Sequence, residues 1–493
     1  MTQGKPMGRV LDDVVALDPD RVALIIGGEL TSYGELDRAI NAAAAGLRAA
    51  GVRRGWRIPL VDDTSVLAVA TLIGATHGGA ATALMNPRLT SGELAVLMEA
   101  AGTVATGVAG AGYASVAAAA GIHPVLGAEV LQGNGPAGGA ESEGAPAGEA
   151  VVLFTSGTTG TPKAVPLTHE QLGPRISAFA PAVEPVPAVS IMSVPLVHIG
   201  GMLGLLVALA KGSTTVVLTR FDAGEWLASV ERYDVTTAFL VPTMLYRILE
   251  HPAFSKTDLG SLVSLSYGAA PATPELIRRT MEALPGVDLM NTFGQTETMG
   301  SITALGPGDH PPERLASVGK PLPGVEVRIV HPTTGEDVDT GTVGELWVRS
   351  DVVVVAQGPG EVDSPDGWFR TGDMVSADAE GYLFPSGRLS DTINRGGEKF
   401  APSEVEEVVR AHPAVRDVAA VGVADPEMGH RVGVAVVTSE PLGLEELRTF
   451  CQGRIANFKQ PERLLIVEEL PITDFGKVDR KELRKRFAAP SRT

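Results

Sequence analysis

Leu153-Phe154-Thr155-Ser156-Gly157-Thr158-Thr159-Gly160-Thr161-Pro162-Lys163 is the stretch that decides how this chain is read. It follows the apolar pair Val151-Val152. Five hydroxyls, two glycines and one lysine fall within the nine residues from Thr155 to Lys163. Such a segment can gather backbone N–H groups, hydroxyls and one positive charge around a polyphosphate. It is not a Walker A loop, in which Gly-Lys-Ser/Thr follows the first glycine after four residues. Here the lysine lies three residues beyond the second glycine, and a proline precedes it. The segment therefore points to a polyphosphate held in some other way.

The rest of the chain narrows the field. At 493 residues it is too long for one compact core, so two or more domains are expected. A hydrophobic content of 44% with 20% charged residues fits a soluble globular protein. A formal charge of −18 argues against general nucleic-acid binding, which needs basic patches, although one cleft can still be basic. The single cysteine, Cys451, cannot form an internal disulfide, which suits a reducing cytoplasm. Its neighbours Phe450 and Gln452 offer no base, so it reads as structural. Asp12, Asp13, Asp18 and Asp20 follow Arg9 without a long apolar region, so no signal peptide is expected. The apolar run from Val194 to Ala210 is shorter than a membrane span of roughly 20 residues and reads as a buried helix or pocket wall.

Along the chain, the spacing predicts an amphipathic helix over 35–50, ending at Gly51, and a second over Val66 to His77. Short β-like segments recur between helical patterns: Arg57 to Val61, Thr214 to Leu218, Thr237 to Val241 and Leu262 to Tyr267. That alternation predicts parallel sheets covered by helices. From Gly133 to Glu149 the composition reduces almost entirely to Gly, Ala, Pro, Glu and Ser, which predicts a flexible surface loop. Val325 to Val330 and Glu345 to Arg349 alternate and predict a small antiparallel unit. After Asp391 a compact α+β domain is expected, with a helix near Ser403 to Ala411, strands at Val418 to Val423 and Gly433 to Thr438, a helix near Leu444 to Ala456 and a strand at Leu464 to Val467. His169 is expected at a helix start.

Five further segments belong with the opening one. They are Ser266-Tyr267-Gly268-Ala269-Ala270-Pro271; Asn291-Thr292-Phe293-Gly294-Gln295-Thr296-Glu297; Phe369-Arg370-Thr371-Gly372-Asp373; Gly387-Arg388-Leu389-Ser390-Asp391 running on to Arg395-Gly396-Gly397-Glu398-Lys399; and Phe475-Gly476-Lys477-Val478-Asp479-Arg480. Singly each is weak: a Gly-Ala-Ala-Pro turn is usually only a turn, and Asp373 after Thr-Gly reads equally well as a turn residue. Together, in this order, they closely resemble the adenylate-forming superfamily of acyl-CoA synthetases, adenylation domains and luciferases. The resemblance covers about Asp20 to Leu483. Ile393 to Lys399 followed by Pro402-Ser403-Glu404-Val405-Glu406 looks like the acyl-CoA synthetase branch.

The resemblance implies an α/β fold: a large N-terminal domain of two parallel-type sheets plus a small β unit (1–389), then a small mobile α+β C-terminal domain (390–493), the hinge being Ser390. It implies ATP, Mg2+ and coenzyme A as partners of a carboxylic acid, with no nucleic acid and no membrane span, in a monomer or homodimer. A carboxylate is a poor electrophile because oxide would have to leave. Joined to the α-phosphate of ATP it becomes a mixed anhydride from which AMP leaves, and the CoA thiolate can attack. The first step needs charge stabilisation and in-line placement rather than a protein nucleophile. In the family pattern Thr155, Ser156, Gly157, Thr158, Thr159, Gly160 and Lys163 match the loop gripping the β- and γ-phosphates. Glu297 matches the magnesium carboxylate, with Thr158 as a second oxygen ligand suited to a hard cation. Phe293 offers a flat face to adenine, edged by Gly268, Ala269, Ala270 and Pro271, with Asn291, Thr292, Gly294, Gln295 and Thr296 completing the nucleotide segment. Asp373 matches the carboxylate that accepts the ribose hydroxyls, with Arg388 beside it. Lys477 matches the lysine brought onto the carboxylate and α-phosphate. Arg395, Gly396, Gly397, Lys399 and Arg431 are candidates for coenzyme A.

Two departures stand out. The family's loop usually reads Pro-Lys-Gly, and here Ala164 replaces the glycine; if the position needs φ > 0, alanine costs roughly 1 kcal/mol. Ser390 stands where the family commonly has Asp or Lys. Both suggest a thioester-forming enzyme with a weakened adenylation step. As for the acid, the segment around His198 resembles the family's acyl-pocket wall, which implies that His198 stands at the gate of a pocket walled by Gly200, Gly201, Met202, Leu203, Gly300 and Ser301. Amino-acid adenylation domains place an aspartate in the His198 region, and none is there. Malonate enzymes of the family carry an arginine just before the aromatic of the Phe293 motif, where this chain has Thr292. Small and apolar linings make room, so a bulky hydrophobic acid is expected: aryl, medium-chain or polycyclic. The alternatives are a stand-alone adenylating enzyme loading a carrier protein and a small-acid, oxalate-like CoA ligase.

Overall fold

The computed structural model describes residues 6–133, 148–156, 162–351, 353, 367–395, 398–473 and 478–488, without the side chains of 156, 398 and 399. The chain divides into two compact units. One comprises Met1–Leu315, Pro321–Val325 and Ser350–Asp363; the other comprises Ala316–Lys320, Glu326–Arg349 and Ser364–Thr493.

The first unit holds two parallel-type sheets. One runs in the order Val125–Leu126, Gly107–Ala109, Arg57–Val61, Ala81–Met85, Glu149–Ser156, Pro162–Thr168, parallel throughout except for the last pair. The other includes, in order, Gly300–Leu305, Asp288–Gln295, Ser264–Gly268, Thr237–Leu240, Val189–Met192, Thr214–Val217, Val22–Ile26 and Glu29–Ser32, antiparallel only at its two ends. Local signals set the helices. Ser32 and Glu35 form a reciprocal cap for Tyr33–Ala49, and Ser65 caps Val66–His77. The latter helix is buried continuously from Leu67 to Thr76, as its unbroken apolar composition requires. His169 opens the helix His169–Phe179, capped by Thr168 with Gln171. The apolar run becomes the helix Ile199–Lys211, with His198 at its N-cap. Among the described residues no helix is long and apolar enough to cross a membrane.

The second unit carries an antiparallel sheet in the order Glu326–Val330, Gly344–Arg349, Phe369–Ala377, Leu383–Arg388. Its other sheet runs Glu398–Phe400, Ile393–Arg395, Gly429–Thr438, Val415–Asp425, with Arg463–Ile466 also paired to Gly429–Thr438. The helices Pro402–Arg410, Leu444–Cys451 and Arg480–Ala488 belong to this unit.

Two local expectations change. The helix expected over 444–456 stops at Cys451, because Gln452 turns extended and Gly453 takes a φ of +70°. The residues after Lys163 form a strand paired back on Glu149–Ser156, so the opening segment belongs to a β-hairpin. The loop expected over 133–149 lies outside the described residues save at its ends, where Glu149 begins that strand and takes the Arg57 guanidinium on both oxygens at 2.5 Å.

Candidate active site

The hydroxyl-rich segment leaves the strand Glu149–Ser156 and returns as Pro162–Thr168. Thr155 stands opposite Lys163, and Ser156 opposite Pro162. Gly157, Thr158, Thr159, Gly160 and Thr161 lie outside the described residues. Ala164 stands opposite Phe154 within the ladder and is fully buried. It is not among the residues with positive φ. The strain expected of an alanine in place of the family's glycine is therefore absent, since an extended strand admits any side chain with a Cβ.

Glu297 occupies a short turn, Thr296–Thr298, between the antiparallel strands Asp288–Gln295 and Gly300–Leu305. The buried Thr298 hydroxyl locks this turn. It accepts from the Gln295 N–H at 3.0 Å and lies 3.0 Å from the Gln295 carbonyl and 2.8 Å from that of Gly300. Met299 and Gly300 complete the reversal at φ of 51° and 85°. Gly294 is obligatory, because a Cβ there would sit 1.9 Å from the Gly300 carbonyl oxygen. Across this frame the Thr155 hydroxyl donates to Glu297 Oε1 at 3.2 Å. The structure thus brings the first residue of the polyphosphate segment onto the expected metal carboxylate.

The donor set fits magnesium. A carboxylate flanked by a hydroxyl offers hard oxygen, and Mg2+ commonly binds one or two carboxylates while water and substrate phosphates fill its other positions. Among the described residues there is no cluster of three or more His, Cys, Asp or Glu that could cage a metal alone.

The segments expected to border adenine are equally constrained. A Cβ at Gly268 would meet the Thr292 carbonyl oxygen at 2.1 Å, so the strands Ser264–Gly268 and Asp288–Gln295 can close only over a glycine. Ala269 takes a φ of +63°, an uncommon conformation for a residue with a Cβ and one that gathers at functional sites. Ala269 and Pro271 are exposed and Ala270 is half-buried. Thr292, Phe293, Gln295 and Thr296 are half-buried at the strand's end. Asn291 is buried, and its side chain hydrogen-bonds Tyr267. Burial raises the Tyr267 phenol well above its ordinary range, so that hydroxyl stays neutral; it also meets His310 Nε2 at 3.1 Å. Asn291 therefore supports the segment from the core side.

The expected acyl wall gathers on the helix Ile199–Lys211. Gly201 has no room for a Cβ, which would lie 2.2 Å from the Pro195 carbonyl oxygen, and Gly200 faces the Phe239 ring, 3.6 Å from such a Cβ. Met202 is fully buried and Leu203 nearly so. A Cβ at Gly300 would stand 3.6 Å from Leu203 and 3.8 Å from Ile199.

In the second unit, Asp373 lies within the strand Phe369–Ala377, directly opposite Arg388. Arg388 Nε meets Asp373 Oδ1 at 2.9 Å, and Asp373 is largely buried. Thr371 holds the bend, accepting from the Asp373 N–H at 3.0 Å and donating to the Leu346 carbonyl at 2.8 Å, while Gly372 takes a φ of 71°. Ser390 sits in the turn Leu389–Asp391. Arg395 binds both oxygens of Glu462, at 2.8 and 2.9 Å, and Arg431 reaches the same carboxylate at 3.0 Å. The Arg395 hydrogen bonds, foremost, hold Glu462 below the usual carboxylate range. Gly396, Gly397 and Lys477 lie outside the described residues, as does the Lys399 side chain. Cys451 is buried, and burial pushes its thiol up, which suits a structural residue.

Two residues escaped sequence reading. Thr298 carries the turn, yet nothing marks it beside Thr296. Arg175 is buried on the helix His169–Phe179 and donates to the Ser301 carbonyl. Its signal was its place at helical spacing among Leu172, Ile176 and Phe179, on what the pattern makes the apolar face.

Residues 11–358 match the AMP-binding enzyme family, and residues 404–477 match the AMP-binding enzyme C-terminal domain. A feruloyl-CoA synthase from Amycolatopsis sp is 32% identical over 484 residues, 96% of this chain and 97% of that protein. Among solved structures, the amide bond synthetase McbA from Marinactinospora thermotolerans superposes with a TM-score of 0.84 at 30% identity, covering 98% of this chain and 100% of that one. The o-succinylbenzoate CoA synthetase of Bacillus subtilis, in complex with ATP and magnesium ion, gives 0.82 at 27% identity, covering 97% and 99%. The chain belongs to the AMP-binding enzyme family, within the adenylate-forming superfamily. It is an ATP-dependent, AMP-forming ligase of the acyl-CoA synthetase type, a class that works with ATP, Mg2+ and coenzyme A.

Proposed function

We propose that this enzyme converts a bulky hydrophobic carboxylic acid, an aryl acid in particular, to its CoA thioester through an acyl-adenylate. The observation that carries the acid class is the apolar surround of Gly200 and Gly300, where an added Cβ would face only the side chains of Phe239, Leu203 and Ile199. Its side chains are small or apolar, and removing apolar surface from water stabilises at about 25 cal/mol per Å2, so an aryl group is the favoured occupant. The 32% identity to a feruloyl-CoA synthase across both chains supports the same class.

The carboxylate oxygen attacks the α-phosphorus, and pyrophosphate leaves; the thiolate then attacks the acyl carbon, and AMP leaves. In this reading Lys163 and the hydroxyls from Thr155 onward hold the β- and γ-phosphates. Glu297 and Thr158 would hold Mg2+, which supplies charge neutralisation on the phosphate oxygens. Phe293 and the Gly268–Pro271 edge seat adenine. Asp373, fixed by Arg388, accepts the ribose hydroxyls, and Lys477 supplies charge at the carboxylate and α-phosphate. Arg395, Gly396, Gly397 and Lys399 are proposed for coenzyme A, and His198 as the pocket's gate. The proposed domain boundary falls between 389 and 390, with Ser390 as hinge. A weakened adenylation step has lost one of its two grounds, because Ala164 is unstrained; only Ser390 still argues for it.

The test is an acid panel of cinnamates, benzoates, medium-chain fatty acids, malonate and oxalate, scored for AMP release and for thioester formation with CoA. Aryl acids should give the highest kcat/KM. Preferred turnover of malonate or oxalate would overturn the acid class. AMP-coupled transfer to a carrier protein but not to CoA would overturn the acceptor.

A further inference from the structure

Arg175 is 8% exposed, and no carboxylate pairs with it among the described residues. Its Nη2 donates to the Ser301 carbonyl, its guanidinium stacks 4.8 Å from the Phe179 ring, and its Nε finds no partner among the described residues. Burial alone pulls its pKa down. A buried cation without a counter-ion is costly, and a neutral side chain would pack there at lower cost. Packing alone therefore does not account for an arginine at this place.

Its position does. The helix His169–Phe179 follows directly on the strand Pro162–Thr168, the returning arm of the lysine segment. Ser301 is paired with Gly294 in the hairpin whose turn carries Glu297. Two bonds among the described residues thus join the polyphosphate hairpin to the carboxylate hairpin. Thr155 to Glu297 is one, at the reacting end. Arg175 to Ser301 is the other, behind it. The first, a hydroxyl on a carboxylate, is 3.2 Å long against about 2.5–2.7 Å for a strong bond of that kind, so alone it holds the hairpins only loosely. The second comes from a buried guanidinium and is also charge-assisted.

We infer that Arg175 is a positioning residue for the metal-nucleotide site: by holding Ser301 it fixes the Glu297 carboxylate in place beside Thr155. The inference rests on the proposed role of Glu297, but not on the identity of the acid or of the acceptor.

The experiment measures equilibrium binding of ATP, with magnesium and with EDTA, to the full chain and to R175M, R175K and E297Q, without acid or CoA. Nucleotide-induced melting shifts provide a parallel readout. R175M should lose about tenfold in affinity for MgATP, the worth of one charge-assisted hydrogen bond, and change little for ATP in EDTA. R175K keeps the charge and one donor and should recover part of the loss. Thioester formation from a preformed acyl-adenylate should proceed in R175M as in wild type, which general damage would not allow. Wild-type MgATP affinity in R175M, equal losses with and without magnesium, or no recovery in R175K would each overturn the inference. If E297Q itself keeps the full magnesium-dependent gain, the reading of Glu297 fails and takes the role of Arg175 with it. If E297Q loses that gain and R175M does not, Arg175 alone is refuted.

Discussion

Ala164→Gly restores the glycine usual in the family, and the structure predicts harm where the family pattern predicts gain. Ala164 is fully buried in the ladder opposite Phe154, packed in the cluster that includes Val152, Met85 and Leu94. Removing its methyl gives up about 0.8 kcal/mol of burial. Glycine in a strand interior costs a further 0.5–1 kcal/mol or so in chain entropy. Together the substitution should destabilise the first unit by about 1–2 kcal/mol. That unit has about 330 residues, so the loss corresponds to roughly 1–3 °C in melting temperature.

Adenylation should not improve. Had residue 164 required φ > 0, glycine would relieve about 1 kcal/mol of strain, raising stability and freeing the loop. The two accounts differ in sign for stability, and for adenylation one expects a gain where the other expects none, which makes the comparison decisive. Melting is followed by scanning fluorimetry, and adenylation by acid-dependent pyrophosphate exchange at saturating acid. A rise in melting temperature, or a several-fold rise in exchange, would refute the reasoning from the extended strand.

Other outcomes can be measured alongside. Asp373→Asn should lower kcat/KM for ATP by about ten- to a hundredfold while leaving KM for the acid nearly unchanged, because it weakens hydrogen bonds to the nucleotide; an equal effect on both substrates would argue against a ribose contact. His169 is buried with neither ring nitrogen partnered among the described residues, and burial lowers its pKa from 6.5. Its neutral form is the folded one, so the stability it contributes is complete above pH 6.5 and is lost as pH falls through and below that value. Melting temperature should therefore decline from pH 7 toward pH 5, and His169→Phe should flatten part of that decline; an unchanged slope would assign the acid sensitivity to His310 and His430, whose pKa values burial also lowers.

Legibility in the sequence followed the range of the interactions. The helix Val66–His77 and the strand Arg57–Val61 were read to the residue, because caps and apolar composition fix them locally. The antiparallel return after Lys163 was not, since its partner is set by the register of a sheet whose other strands come from residues 57–126. That one pairing reversed the meaning of Ala164, from a strained stand-in for glycine to an ordinary core residue. Asp373 shows the same thing from the other side: Thr-Gly-Asp reads as a turn, yet the carboxylate is held by Arg388 across a strand pair that spacing alone does not disclose. The candidate site residues stand out in the sequence because their types and order are unusual. What joins them does not, because it is made of backbone carbonyls and buried donors. Thr298 to Gly300 leaves no mark in the sequence, and Arg175 to Ser301 leaves only a cation at an apolar position of a helix, with nothing to name its partner. For a ligase whose first step depends on placing charges rather than on a nucleophile, those unmarked bonds set how well the marked residues work.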